Sequence, residues 1–459
     1  MDEIGTLLAL RAASTGRAQR KTLLRHVHLI DEPFAIVAYH LAGDEGAPLA
    51  FMFGTSPGAA ALVVVPEPRN RELRFAALAS FGEALNSYLE ASTDGPQLLF
   101  ANDATANWLL DLVGSYTRYV TNNGNRPAPE SIGRAGKNMS YLYELMTVPA
   151  SSIVLRATDF LSAHFQTGQL GTEDLNLGAQ LAWITASGEM TASEAALAAE
   201  QSAPAGPLSD PEWDARFLEN FMTDWRRSRR AADPDSRQRV LRAHLEEEAR
   251  AQLLSGWTWM WQAREVLQAL SPAPYVTTRF TEDLDKWTEH VERMQRDEAR
   301  FAARPDARYT AARLRHHEHQ AELAEARGVG SDPLILARIA VKGEVVDGQV
   351  LAADLTATQG RSSRPVLEVQ PEAPCTLAPG SKVFLTRTMR VTMEIGPARR
   401  SPMDPVTLTV LSGANIPRTR ALLPRVGERL VASSRGLPRD PFVSMGAGVP
   451  WTHALPETA

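Results

Sequence analysis

The sequence predicts an α+β chain of several domains: a mixed α/β domain first, a helical middle, and a small β-barrel or sandwich last. Three observations carry this. At 459 residues the chain exceeds what one hydrophobic core organises, so two to three domains are expected. Its apolar pattern changes along the way, from short continuous runs, to helical spacing, to closely spaced short strands. A stretch rich in Ala, Ser, Pro and Gly separates the first zone from the second.

The α/β domain is placed at residues 25–188. FAIVAYHLA (34–42) and PLAFMFG (48–54) flank a GDEG turn and read as a hairpin, and AALVVVPE (60–67) follows as a buried strand. Asn70 is the expected cap of a helix whose apolar positions are Leu78, Phe81, Leu85 and Leu89. QLLF (97–100) is a further strand. Asn102, Asp103 and Thr105 can each cap the next helix, which carries Trp108, Leu109 and Leu112 and should stop at Gly114. A polar loop, TNNGNRPAP, then precedes helices from near Asn138 through Trp183.

Residues 189–210 read as the linker and 211–331 as the helical domain. Asp210-Pro211-Glu212 is a strong helix start. Trp213, Phe217, Phe221 and Trp225 step by four along one face that must be covered. Later helices are expected near Ser236 and Thr281, the last ending at Gly328. Residues 332–434 read as the β domain: ILARIAVKGEVV and QVLAADLT form a hairpin about Asp347-Gly348. RPVLEVQ, KVFLTRTMRVTMEI, PVTLTVL and RALLPRVGERLV supply more strands of a small barrel or sandwich. Residues 435–459 read as an irregular tail.

A net charge of −6 with pI near 6.0 gives no global field for nucleic acid or anionic membrane, so any such surface is local. Arginine carries nearly all the positive charge, and it suits bidentate contact with phosphate or carboxylate. With Cys375 as the only cysteine, an intramolecular disulfide and a thiolate metal cluster are excluded. No apolar run reaches membrane-spanning length and no signal segment is recognisable, so a cytoplasmic protein with no membrane partner is expected. No motif calls for a cofactor or a metal.

From Phe34 to Gly114 the order strand, strand, strand, helix, strand, helix resembles the start of an RNase H-like nuclease core. Such nucleases hold two metal ions on several carboxylates, one of them on the first strand. FAIVAYHLA has none. QLLFANDATANWLLDLV resembles the strand-to-helix step of the DEDD exonucleases, in which an Asn is followed shortly by a catalytic Asp. Asn102 matches that Asn, whereas Ala106 stands where the acid belongs. In LRATDFL, Asp159 takes the place of the family's last carboxylate, without the usual His ahead of it. Asp103, Asp111 and Asp159 are therefore the candidate catalytic groups.

Other patterns point elsewhere. GTSPG around Ser56 precedes a strand instead of the helix that a nucleophile elbow needs, so it reads as a turn. GRAGKN (133–138) lacks the first glycine and the hydroxyl of a phosphate loop and reads as a loop before a helix. His316 and His319 are one helical turn apart without a third ligand. The basic run RRSRR gives Arg226, Arg227, Arg229 and Arg230 as phosphate-contacting candidates, and the β domain adds Arg387, Arg390, Arg418 and Arg420. In one strand Arg387 and Arg390 would face opposite sides. Trp257 and Trp261 share a helical face and, with Trp213, Trp225 and Trp287, build a core.

The expected function is a non-catalytic, nucleic-acid-associated accessory or scaffold subunit of a larger cytosolic assembly, with a protein partner. The alternatives are a divergent metal-dependent nuclease and a protein-interaction scaffold without nucleic acid.

Overall fold

The computed structural model describes residues 3–120, 129–186, 190–202, 209–301 and 307–438. Most of the polar loop TNNGNRPAP and the tail from 439 onward lie outside these residues. Helix α1 (Glu3–Thr15) and strand β1 (Gln19–Arg20) lead into a mixed sheet. Its strands are β2 (Phe34–His40), β3 (Pro48–Gly54), β4 (Ala61–Val64), β5 (Leu98–Phe100) and β6 (Val154–Arg156), in the order β4-β3-β2-β5-β6. The pairs β2·β3 and β3·β4 are antiparallel, whereas β2·β5 and β5·β6 are parallel. Strand β1 pairs apart, with β7 (Phe165–Gln166).

All of β2 is buried, which explains why its sequence is continuously apolar: a central strand covered on both faces has no polar side to show. Its alternation survives as two separate cores. Ala35, Val37 and Tyr39 enter one, and Phe34, Ile36 and Ala38 the other. The second core is closed by α2 (Arg71–Ala91), by α3 (Asp103–Asn107) with its π-helical continuation into α4 (Gly114–Thr117), and by α5 (Glu130–Met146). There the Phe51 and Phe81 rings stack 5.0 Å apart, and burying each such side chain contributes about 1.5–3 kcal/mol.

The first core is closed by α6 (Ala157–His164), α7 (Leu177–Thr185) and helices from further along the chain. Within the stretch 189–210 lies α8 (Ala192–Glu200), started by a Thr191/Glu194 capping box. Next come α9 (Pro211–Trp213), capped by Asp210, a π-helical turn, and α10 (Glu219–Ser228). Trp213, Phe221 and Trp225 are buried against the sheet, with Tyr39 edge-on to Trp213. Helix α11 (Pro234–Gln268) adds Trp257 and Trp261 to this core, while α12 (Val276–Gln295) sends Trp287 into the other. The middle helices thus complete layers of the sheet's own sandwich.

Several local expectations are corrected. Gly114 does not end its helix: a Cβ there would lie 3.2 Å from Met139 and Ser140, so the glycine lets α4 pack closely on α5. GRAGKN is not a loop but part of α5, which starts at Glu130, before Asn138. A Cβ on Gly133 or Gly136 would come within 2.4 Å of the Val120 carbonyl or the Arg118 amide. Helix α11 begins near Ser236 as expected, with Asp233 accepting the Ser236 amide, whereas α12 starts at Val276, ahead of Thr281. Helix α13 (Ala307–Ser331) runs past Gly328.

ILARIAV is not a strand but α14 (Pro333–Val341), begun by the Asp332-Pro333 start. After it β8 (Val345–Asp354) passes straight through Asp347-Gly348 without turning. Gly348 is there for closeness: a Cβ would fall 1.9 Å from the Gln370 carbonyl. A short hairpin, β9 (Thr358–Gln359) with β10 (Ser362–Ser363), follows. The remaining strands are β11 (Val366–Pro371), β12 (Lys382–Leu385), β13 (Thr392–Ile395), β14 (Val406–Ser412) and, after α15 (Pro417–Arg420), β15 (Arg429–Ser433). The β domain is a closed barrel in the order β11-β14-β13-β12-β15-β8. KVFLTRTMRVTMEI is two antiparallel strands, and RALLPRVGERLV becomes a strand only from Arg429.

Candidate functional site

The parallel strands β5 and β6 end side by side, with Phe100 in register with Arg156. Just beyond, Asn102 caps α3 by accepting the Thr105 amide at 2.8 Å, which fixes Asp103 in the first turn. Helix α6 starts directly after β6 and brings Asp159 to the same edge. Between the two carboxylates lies Arg156: its Nη1 is 2.7 Å from Asp103 Oδ1 and its Nε 2.9 Å from Asp159 Oδ2. Burial lifts the Asp159 carboxyl above its ordinary value, against the pull of Arg156, and Asp103 adds to the rise.

Asp111 does not join them; it is exposed and faces Ser115 on its own helix. Ala106 is fully buried in core packing. Among the described residues no three His, Cys, Asp or Glu side chains are placed to hold a metal ion. The edge therefore carries two acids already satisfied by one guanidinium, an arrangement without the donor set for a two-metal centre.

The basic run ends α10. Arg226 Nε and Arg229 Nη2 both reach the Glu67 carboxylate, at 3.0 and 2.5 Å. Burial would raise Glu67, but the two arginines outweigh it and hold the carboxyl below its usual range. Arg227 faces Asp224 at 3.6 Å, and Arg230 is exposed. Of this run, two exposed guanidiniums share a single acid.

The barrel arranges its arginines differently. Each of its neighbouring strand pairs is antiparallel, so strand direction alternates around the ring. The connections 355–365, 386–391 and 413–428 therefore emerge at one end. Their closeness is visible in contacts: Arg420 Nη2 donates to the Leu355 carbonyl at 3.0 Å, and a Cβ on Gly413 would lie 3.0 Å from the Arg390 carbonyl. Arg387 and Arg390 are not in one strand with opposite parity; both sit in the β12–β13 connection and both are exposed. Arg418 and Arg420 lie on α15, and Arg361 follows β9.

Among the described residues none of Arg361, Arg387, Arg390, Arg418 and Arg420 is in an ion pair, and all are exposed. Asp354, nearby, is turned back to cap Thr356. The sequence named four of these arginines but not Arg361, because only barrel closure brings its hairpin to the same end.

A cleft of about 680 Å³ opens between α5, α12 and α13. Tyr141, Glu144, Arg293, Arg313, His316 and His317 line it. Burial raises the Glu144 carboxyl and lowers both imidazoles. Most of its charges are paired internally, as Arg279 with Asp283 at 2.6 Å and Lys286 with Glu289 at 3.0 Å. Trp213, Trp225, Trp257, Trp261 and Trp287 are all buried, so none offers a face for base stacking. No described helix is long and apolar enough to cross a membrane. Comparison with known protein families, curated proteins and solved structures finds no match.

Proposed function

We propose that the protein is a non-catalytic, nucleic-acid-associated accessory subunit of a larger cytosolic assembly. In this reading an RNase H-like sheet serves as scaffold and the barrel end makes the contact. The observation that carries it is the set of exposed arginines on three connections at one barrel end, without carboxylate partners. Guanidiniums so exposed suit phosphate oxygens and would release counterions on binding.

The strand order and directions of the sheet support the RNase H-like reading. The Arg156 clamp on Asp103 and Asp159 supports a silent edge. Binding to labelled nucleic acid across a salt series tests the proposal: affinity should fall steeply as salt rises, and flat or absent binding leaves the protein-interaction scaffold instead. Nuclease assays with Mg²⁺ and Mn²⁺ should give no cleavage. Metal-dependent cleavage that disappears in Asp159→Ala would establish the divergent nuclease.

A further inference from the structure

We infer that the barrel end grips the phosphate backbone of a double-stranded nucleic acid, without reading its sequence. The inference rests on the nucleic-acid reading above and specifies its ligand.

Residues 355–365, 386–391 and 413–428 contain no Phe, Tyr, Trp or His. Proteins that hold single strands stack bases on rings lining a basic groove, and these three connections have no ring to offer. Its only amide side chains, the usual readers of adenine edges, are Gln359 and Asn415; arginine can read guanine, and a comparison of two duplex sequences separates that from phosphate contact. The exposed cations here are Arg361, Arg387, Arg390, Arg418, Arg420 and Arg425, beside one exposed carboxylate, Glu428, whose Oε2 accepts the Arg425 amide at 2.9 Å.

Geometry favours a duplex in the same direction. Strands about 4.8 Å apart and tilted by about 40° close a six-stranded ring roughly 12 Å across. That is also about the width of a B-form major groove. Arginines distributed over three connections around such an end can reach phosphates on both strands at once. A duplex offers one charge per about 1.7 Å of axis, twice the density of a single strand. Six neutralised phosphates predict a log–log salt slope of about −5.4 on duplex.

Fluorescence anisotropy on the full chain tests this with a labelled DNA duplex, one of its strands alone, and a second duplex of unrelated sequence. The duplex should bind at least about tenfold tighter than the strand, and the two duplexes should bind alike. Arg387→Glu with Arg390→Glu should lower the salt slope by about 2. The milder Arg387→Gln with Arg390→Gln tests the same point should the reversal disturb folding. Equal or tighter binding of the single strand overturns the inference while leaving the nucleic-acid reading intact, as does strong preference for one duplex sequence. Absence of binding to all three overturns both.

Discussion

The sheet and the barrel treat charge in opposite ways. At the sheet's carboxyl edge two acids share one arginine, and at the end of α10 two arginines share one acid. Inside the same body Arg279 and Asp283 are buried together. The barrel end instead presents six exposed guanidiniums, none of them in an ion pair among the described residues. Charge satisfied internally holds a shape and attracts little. Charge left exposed repels itself and is relieved only by an anion from outside. Under the proposed function, that difference is why binding is assigned to the barrel and scaffolding to the sheet.

Acid should separate the two regions most sharply. His164 is locked as a neutral tautomer: its Nδ1–H donates to the Phe160 carbonyl at 2.6 Å and its Nε2 accepts the His26 amide at 2.9 Å. Burial holds its pKa down to about 4, and does the same for His290. Above the unfolded value of about 6.5, neither state is protonated and stability is complete. As pH falls from there toward 4, the unfolded chain takes up the proton first, so stability is lost across that window. Each histidine accounts for about 3 kcal/mol. The barrel strands and their connections contain no histidine. In a Trp451→Phe background, urea unfolding followed by tryptophan fluorescence reads the body alone, since residues 332–434 hold no tryptophan and Trp451 is the only one after them. It should show the loss, while hydrogen exchange in the barrel should not. Simultaneous acid unfolding of both regions would refute the distinction.

Charge reversal at the barrel end comes next in size. Arg387→Glu, Arg390→Glu and Arg418→Glu together should weaken duplex binding by about 100-fold or more at low salt. Unfolding midpoints of the body should stay in place. A change below about threefold would move the binding surface elsewhere.

The layers were legible in the sequence where one residue type had one physical meaning. The continuous apolar run of β2 could only be a strand covered on both faces, and Asn70 and Asp210 announced helices that they do cap. Glycine misled because its two uses look alike. Asp347-Gly348 reads as a hairpin turn, yet Gly348 lies within a strand where the Gln370 backbone leaves no room for a Cβ. ILARIAV is rich in β-branched residues, and only its Asp332-Pro333 start betrays the helix. The Arg156 clamp was illegible because its partners are 53 and 3 residues away in sequence. The gathering of arginines was equally hidden, since it needs the barrel to close.

Breaking the clamp should have a smaller effect. Arg156→Ala removes one cation from Asp103 and Asp159, and solvent screens much of the loss because both carboxylates are partly exposed. Stability should fall by about 1 kcal/mol. The freed pair should also gain measurable affinity for Mn²⁺, read by the paramagnetic broadening of nearby resonances. A variant that binds no more Mn²⁺ than the parent would show that the two carboxylates do not converge once Arg156 is gone.

The smallest effect is expected at the densest basic run of the sequence, RRSRR. Arg226→Ala with Arg229→Ala strips both partners from Glu67, whose carboxyl should return toward its ordinary range or above it, since burial then acts unopposed. These arginines are exposed, so the stability cost should stay within about 1 kcal/mol. Duplex affinity should change by less than about twofold, because both guanidiniums are already paired with Glu67. A loss comparable to that of the barrel variant would mean that Glu67 yields its partners to phosphate. The sheet body would then bind as well, and the contrast between the two regions would reduce to a difference of degree.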